Sequence, residues 1–220
     1  MAANKDLEQQ YGRAMEEHGF LPDPENQRYG SMGLCWRHTS QQGGGFFWTY
    51  GQQDLYTIKI HDFFFHEDQL LEFHWPESLS VTWYESISGE EFSPCRRLVP
   101  GCVKSFIGGR EPYRALIHRQ IPIVSIGVEI TPAYYRDYLR RQFPQEYQSL
   151  LESFQTLDQT EHFPEMVQLL KQVRDYRGEG LPARLFYDGK VAEAVALVAE
   201  RHLKRKNRRS VSAEDMVRLA

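Results

Sequence analysis

The segment 121–139, IPIVSIGVEITPAYYRDYL, constrains the fold more than any other stretch, because its hydrophobic period changes in the middle. Ile121, Ile123, Val124, Ile126, Val128 and Ile130 form an apolar, β-branched run of the kind a buried strand uses. Thr131 and Pro132 then switch the period. Threonine is a good N-cap, and proline suits the first helical position because its missing N–H would be unpaired there anyway. Tyr134, Tyr135, Tyr138 and Leu139 follow at helical spacing, with Arg136, Asp137 and Arg140 between them. With no flexible linker at the switch, the two halves of the chain are expected to pack as one unit.

Before the switch the pattern is mostly β. A short helix is expected over 5–18, through Leu7, Tyr11, Ala14 and His18, followed by the turn-rich connector LPDPENQ. Strands are expected over 31–38, 46–50, 55–65, 68–75 and 79–86, with Gly43, Gly44 and Gly45 as a turn, and shorter ones near 102–107 and 115–120. In the third of these, Tyr56, Ile58 and Ile60 share one face, and Thr57, Lys59 and His61 share the other. About seven to nine short strands predict a sandwich or a small barrel.

After the switch the pattern is helical, over 145–157, 163–176 and 181–203. A basic run (Lys204, Arg205, Lys206, Arg208, Arg209) reads as a linker, and Ser212 with Asp215 as a capping box. The helix it opens stops at Ala220 after about two turns, too few to stand alone in water, so the chain is expected to be cut off there. The fold class is therefore α+β. Its segments are an arm over 1–29, a β region over 30–130, a helical segment over 131–203 packed on the β region, and a linker with a truncated helix over 204–220.

Composition narrows the class. At 41% hydrophobic and 25% charged residues the chain is globular. No apolar run approaches a membrane span and MAANKDLEQQ has no signal-peptide core, so a cytoplasmic location away from membranes is expected. Cys35, Cys95 and Cys102 match no zinc spacing and read as reduced thiols. The basic run takes five of 26 basic residues, leaving 21 against 30 acidic ones, so the body is acidic and unlike a nucleic-acid-binding surface.

Two constellations carry possible chemistry. His38, His61, His66 and His74, with Glu67 and Glu72, contain no His-x-His pair that would turn two rings to one face of a strand. They read as surface or loop histidines, with no metal site. The aromatic residues of the β half either fill a core or line an apolar pocket. The candidate pocket is Trp48, Tyr56, Phe63 and Trp83, with Arg37, His61 or Glu85 orienting a ligand's polar group. No Gly-x-Ser-x-Gly, phosphate loop or dinucleotide fingerprint occurs, so neither an enzyme nor a bound cofactor is expected.

The helix at 181–203 has more apolar surface than one core requires. Tyr187, Val191, Ala194, Val195, Val198 and His202 fall on one arc, and Ala192, Ala196, Ala199 and Leu203 on an adjacent one. A single apolar stripe of a little over 100° seats a helix on its own core, so the second arc is expected to be a dimer interface. The alternative is a helix sandwiched within one chain.

Three pieces together resemble the amino-terminal half of AraC-family bacterial transcription regulators: the junction Gly127–Leu139, the stretch Leu185–Leu197 with Lys190 and Glu193, and the start Ser212-Ala-Glu-Asp-Met-Val. The resemblance covers roughly residues 45–220 and implies a cupin-like β-barrel or sandwich that senses a small-molecule effector, followed by a helical dimerisation segment. It also implies a homodimer, and promoter DNA bound only by a helix-turn-helix half that is missing here. The competing reading is a cupin-fold metal-dependent enzyme or small-molecule carrier.

Overall fold

Successive side chains of a strand point to opposite faces, and because both faces of one sheet are buried here the fold follows from covering each of them. The computed structural model describes residues 8, 11–13, 15–39, 41–52, 54–93, 95–145, 147–157, 160 and 162–218. The strands are β1 Phe20–Pro22, β2 Leu34–His38, β3 Gly43–Gln52, β4 Tyr56–Phe65, β5 Gln69–Phe73, β6 Leu79–Ser86, β7 Gly89–Phe92, β8 Cys95–Leu98, β9 Val103–Ile107, β10 Tyr113–Ile117 and β11 Ile123–Ile130. A π-helical turn, Ala133–Tyr138, continues into α1, Leu139–Gln142; α2 is Tyr147–Leu157, α3 Pro164–Asp175 and α4 Gly180–Arg218. The architecture is α+β with antiparallel sheets, as expected.

One sheet has the order β1-β2-β3-β4-β11-β6-β9 and the other β5-β10-β7-β8. Each keeps two outer strands and neither edge of one pairs with the other, so the sheets form a sandwich and are not closed into a barrel. Trp48, Ile58, Ile60, Val81, Trp83, Ile126 and Val128 project from one face of the large sheet onto Phe154, Met166, Leu169, Val173, Tyr187 and Val198 of the helices. From its opposite face Trp36, Phe47, Phe63, Phe65 and Ile123 meet Leu71, Ile87, Ala115 and Ile117 on the small-sheet side, together with Tyr11 and Met15 of the amino-terminal helical residues.

The structure differs from the expectations in several places. Leu21 and Pro22, which open the expected connector, belong to strand β1 and pair with Arg37 and Trp36 of β2. Gly43, Gly44 and Gly45 are not a turn; they open β3, pairing with Phe65, Phe64 and Phe63. There β4 comes so close that a Cβ on Gly45 (φ 111°) would sit 2.3 Å from the Asp62 carbonyl oxygen, which only glycine allows. The hairpin β7–β8, GEEF and CRRL, is too charged to read as strand from its composition. The junction helix is π-helical over Ala133–Tyr138, where the Leu139 amide donates to the Tyr134 carbonyl five residues back; at its start the Tyr134 and Tyr135 amides both donate to the Thr131 carbonyl oxygen at 3.0 and 3.1 Å, while the Thr131 hydroxyl donates to the Leu55 carbonyl at 3.1 Å. Finally, the basic run is helical. The 39 residues of α4 pass through Lys204–Arg209 and Ser212 without a break, as strong helix formers such as Lys and Arg permit. Leu7 and Ala14 of the expected first helix lie outside the described residues; 11–13 and 15–17 are helical.

Candidate functional site

Four adjacent strands of the large sheet lay polar side chains side by side on the face that meets the small sheet. Lys59 on β4 is paired with Gly127 on β11, Gly127 with Thr82 on β6, and Thr82 with Lys104 on β9. One rank to one side lie Thr57, Glu129, Ser80 and Phe106; one rank to the other lie His61, Ser125 and Tyr84. Side chains two apart on a strand share a face, so these ranks form one polar floor. Above it Met15, Phe20, Leu71, Phe73, Trp75, Ile87, Tyr113 and Ile117 make an apolar, largely aromatic roof. Between floor and roof is a cavity of about 170 Å³.

Gly127 shapes the middle of the floor. A Cβ there would come within 2.3 Å of the Thr82 hydroxyl oxygen, so the glycine lets Thr82 lean across the space between the two lysines. Lys59 Nζ lies 2.7 Å from Glu129 Oε2, with both side chains nearly buried, and 4.3 Å from the centre of the Trp75 ring. The Tyr11 hydroxyl donates to Thr57 Oγ1 at 3.4 Å and to Glu129 Oε1 at 3.5 Å, which ties the amino-terminal residues to the pair. Burial disfavours the Lys59 ammonium, but Glu129 and Tyr11 more than offset it and hold its pKa above the ordinary lysine value. On the other side of the floor Lys104 pairs with Glu91, which also accepts a hydrogen bond from Arg96 Nε at 2.6 Å.

His61 is the neutral member of the floor. Its ring stacks on Phe47 with centroids 4.7 Å apart, and Nδ1 lies 2.8 Å from Ser125 Oγ. Burial, then the nearby Lys59 charge, push its pKa down to about 3. The unfolded chain binds a proton here near pH 6.5, whereas the folded chain resists it until about pH 3. The neutral ring's contribution is therefore complete above pH 6.5 and is lost as pH falls towards 3. A single such group steepens the loss of stability on acidification by about 1.4 kcal/mol per pH unit within that window. Urea unfolding of wild type and His61→Phe between pH 6.5 and 4 is expected to show a shallower pH slope in the variant. Equal slopes would mean that His61 titrates normally in the folded protein.

Of the seven side chains proposed from sequence for a pocket, the structure brings His61 and Phe63 to this cavity. Trp48, Tyr56 and Trp83 point the other way, into the helical layer. There the Tyr56 hydroxyl bonds Asp188 Oδ1 at 2.5 Å, and Trp83 lies under Lys171 at 4.9 Å. Arg37 and Glu85 are exposed and paired with Asp23 and Arg174, each at 2.5 Å. His66 and His74 are exposed, but His38 and His61 are not surface residues: His38 is buried, edge-on to Phe20 at 4.6 Å, with its pKa lowered by burial. Among the described residues no three or more His, Cys, Asp or Glu side chains group as metal ligands would. Lys59, Lys104, Thr82 and Glu129 were missed from sequence. The usable signal was a lysine two residues before His61 on one face of a strand whose neighbours are apolar, since lysine is rarely buried without a partner.

No family model matches the sequence, and no curated protein does. Among solved structures the chain is similar to KdgF from Halomonas sp., at 10% identity over 43% of this chain and 84% of that one, with a TM-score of 0.31. It is also similar to HutD from Pseudomonas fluorescens SBW25, at 14% identity over 51% of this chain and 56% of that one, TM-score 0.29. A third is vicilin from hazelnut, Corylus avellana, at 9% identity over 70% and 50%, TM-score 0.31. The match thus spans about half the length of HutD and of vicilin, and likenesses at these scores assign no function to this chain. The expectation that the chain is not an enzyme is corrected. The cavity floor here gathers lysine, carboxylate and imidazole, the side chains of general acid–base chemistry. The fold excludes no catalytic role.

Proposed function

We propose that the chain is the cupin-like sensing and dimerising part of an AraC-type transcription regulator. A small-molecule effector occupies the cavity between the sheets, and a second copy of the chain docks along α4. Promoter contact belongs, on this reading, to a separate helix-turn-helix half. The observation that carries the proposal is the cavity itself, which combines an apolar roof, a convergent polar floor and unfilled space. A filled apolar core has no use for two buried lysine–carboxylate pairs, since desolvating them costs more than hydrophobic residues of the same volume would.

The helix supports the second half of the reading. Tyr187, Val191, Ala194, Val195 and Val198 are buried against the body. On the adjacent arc Ala192 and Ala196 are exposed, Leu203 is 52% exposed, and Ala199 is half-buried. Leu181 and Leu185 extend this uncovered strip towards the start of the helix. Small side chains there would let a partner backbone approach closely, and a two-fold axis would pair the helix with its own copy. Ala196→Arg is expected to give a folded monomer by analytical ultracentrifugation, whereas Val195→Arg, on the buried arc, is expected not to fold. A dimer that persists in Ala196→Arg would remove α4 from the interface.

The lysines, Glu129 and His61 also suit a second reading, a cupin-fold enzyme or carrier. A thermal-shift screen for compounds that stabilise the protein, followed by product analysis of the hits, separates the two. A compound bound and released unchanged supports a sensor, and one that is converted supports an enzyme.

A further inference from the structure

We infer that the cavity takes an uncharged one-ring carbonyl compound, an aromatic ketone or amide, whose oxygen accepts a hydrogen bond from His61 Nε2. The inference rests on the reading of the cavity as a ligand site and adds the class of ligand. Register sets the direction of the donor. His61 on β4 is paired with Phe47 on β3 and with Ser125 on β11. Its ring lies at 19° to the Phe47 ring, and Nδ1, the nitrogen next to the attachment point, is 2.8 Å from Ser125 Oγ. Nε2 is at the far end of the ring. Side chains stand roughly perpendicular to a sheet, so Nε2 points away from the strands into the cavity that His61 lines.

The Ser125 hydroxyl fixes which nitrogen carries the proton. Ser125 is buried, and His61 Nδ1 is the only hydrogen-bond partner of its hydroxyl among the described residues. If the hydroxyl donates to Nδ1, both groups are satisfied. If Nδ1 carried the proton and donated instead, the serine hydrogen would be buried with no acceptor. The ring is neutral, so its one proton is on Nε2, where no acceptor among the described residues meets it. A buried N–H calls for an acceptor, and a ligand oxygen in the cavity supplies one. A neutral donor does not offset the cost of taking a carboxylate out of water, and Lys59 and Lys104 are already engaged by Glu129 and Glu91. The oxygen is therefore that of an uncharged group. Space and walls set the rest. At about 170 Å³ the cavity is close to an apolar one of about 150 Å³ known to hold benzene, so it fits one ring with a small substituent. Phe73, Trp75 and Tyr113 of the roof suit a flat ring better than a flexible chain, and a carbonyl on that ring is an acceptor that keeps the molecule flat.

Acetophenone and ethylbenzene have nearly the same shape and differ in the carbonyl oxygen. Calorimetric titration of wild type and His61→Phe with both at pH 7.5 tests the class. Acetophenone is expected to bind wild type one per chain and to weaken about tenfold or more in the variant, whereas ethylbenzene stays within about threefold. Nitrogen-15 NMR of the histidine-labelled wild type tests the donor without relying on the variant's folding. It is expected to place the His61 proton on Nε2 and to show that signal moving with acetophenone. A proton on Nδ1 would overturn the donor and the ligand class with it. Two compounds that weaken alike, or ethylbenzene binding alone, would overturn the class and leave the ligand site standing. Neither compound binding would remove the site together with the inference.

Discussion

Ile126→Asp is expected to yield no folded protein. Ile126 is completely buried in the middle of β11, paired with Ile60 on β4 and Trp83 on β6, on the face that packs against the helices. Both flanking strands and the helical layer meet there, so no side-chain rotation carries a carboxylate to water. An unpaired buried charge costs several kcal/mol, against a total stability of about 5–15 kcal/mol for a domain, and the lost isoleucine packing adds to it. Ile126→Val, which removes one methylene, is expected to cost about 0.5–1.5 kcal/mol in urea unfolding and to keep the fold. Near-ultraviolet circular dichroism distinguishes the two. A soluble Ile126→Asp protein with an unchanged spectrum would show that β11 is not the seam between sheet and helices.

The second large effect is expected at the Lys59–Glu129 pair. Glu129→Leu leaves the Lys59 ammonium nearly buried beside Tyr11 and Trp75 with no counter-ion, and is expected to cost about 3–5 kcal/mol. Lys59→Met strands the carboxylate instead and should cost a similar amount. The double variant removes both charges and is expected to be more stable than either single one, which requires a coupling energy larger than the roughly 3–5 kcal/mol that either replacement costs alone. Because Lys59 is held above its ordinary pKa, the pair's contribution is complete below about pH 10 and is lost as pH rises through the folded value. Strictly additive costs in urea unfolding would mean that the two groups do not depend on each other in the folded protein.

Much of this architecture was legible because single stretches carried it. The β-branched run of 121–130 marked β11 as a buried strand, and the arcs of 181–203 separated buried Val191, Ala194 and Val198 from exposed Ala192 and Ala196. The strip of β4 holding Tyr56, Ile58 and Ile60 was correctly set apart from the one holding Lys59 and His61. What escaped was the meaning of those faces. Both sides of the large sheet are buried, so an apolar alternation cannot say which side meets helices and which meets the second sheet. Aromatic size then favoured Trp48 and Trp83 for the pocket, although both serve the helical layer. The cavity floor is assembled from β4, β6, β9 and β11, whose members Lys59, Thr82, Lys104 and Gly127 are far apart in sequence, and only their register brings them together. The charged hairpin β7–β8 was invisible for a related reason: Glu91 is buried because Lys104 and Arg96 come to it, not because its neighbours are apolar.

The account stands or falls on the space between the sheets being a site that small molecules enter. Methyl-resolved NMR of the protein, with isoleucine and leucine labelled, titrated with a panel of small aromatic and polar compounds, tests this directly. Leu71, Ile87, Ile117 and Ile123 report on the cavity, while Ile58, Ile60 and Ile126 lie on the opposite face of the same sheet and serve as an internal control. The account predicts that at least one compound produces saturable shifts in the first group and leaves the second in place. Shifts confined to surface methyls, or a panel that leaves Leu71, Ile87, Ile117 and Ile123 unmoved in the folded protein, would contradict it.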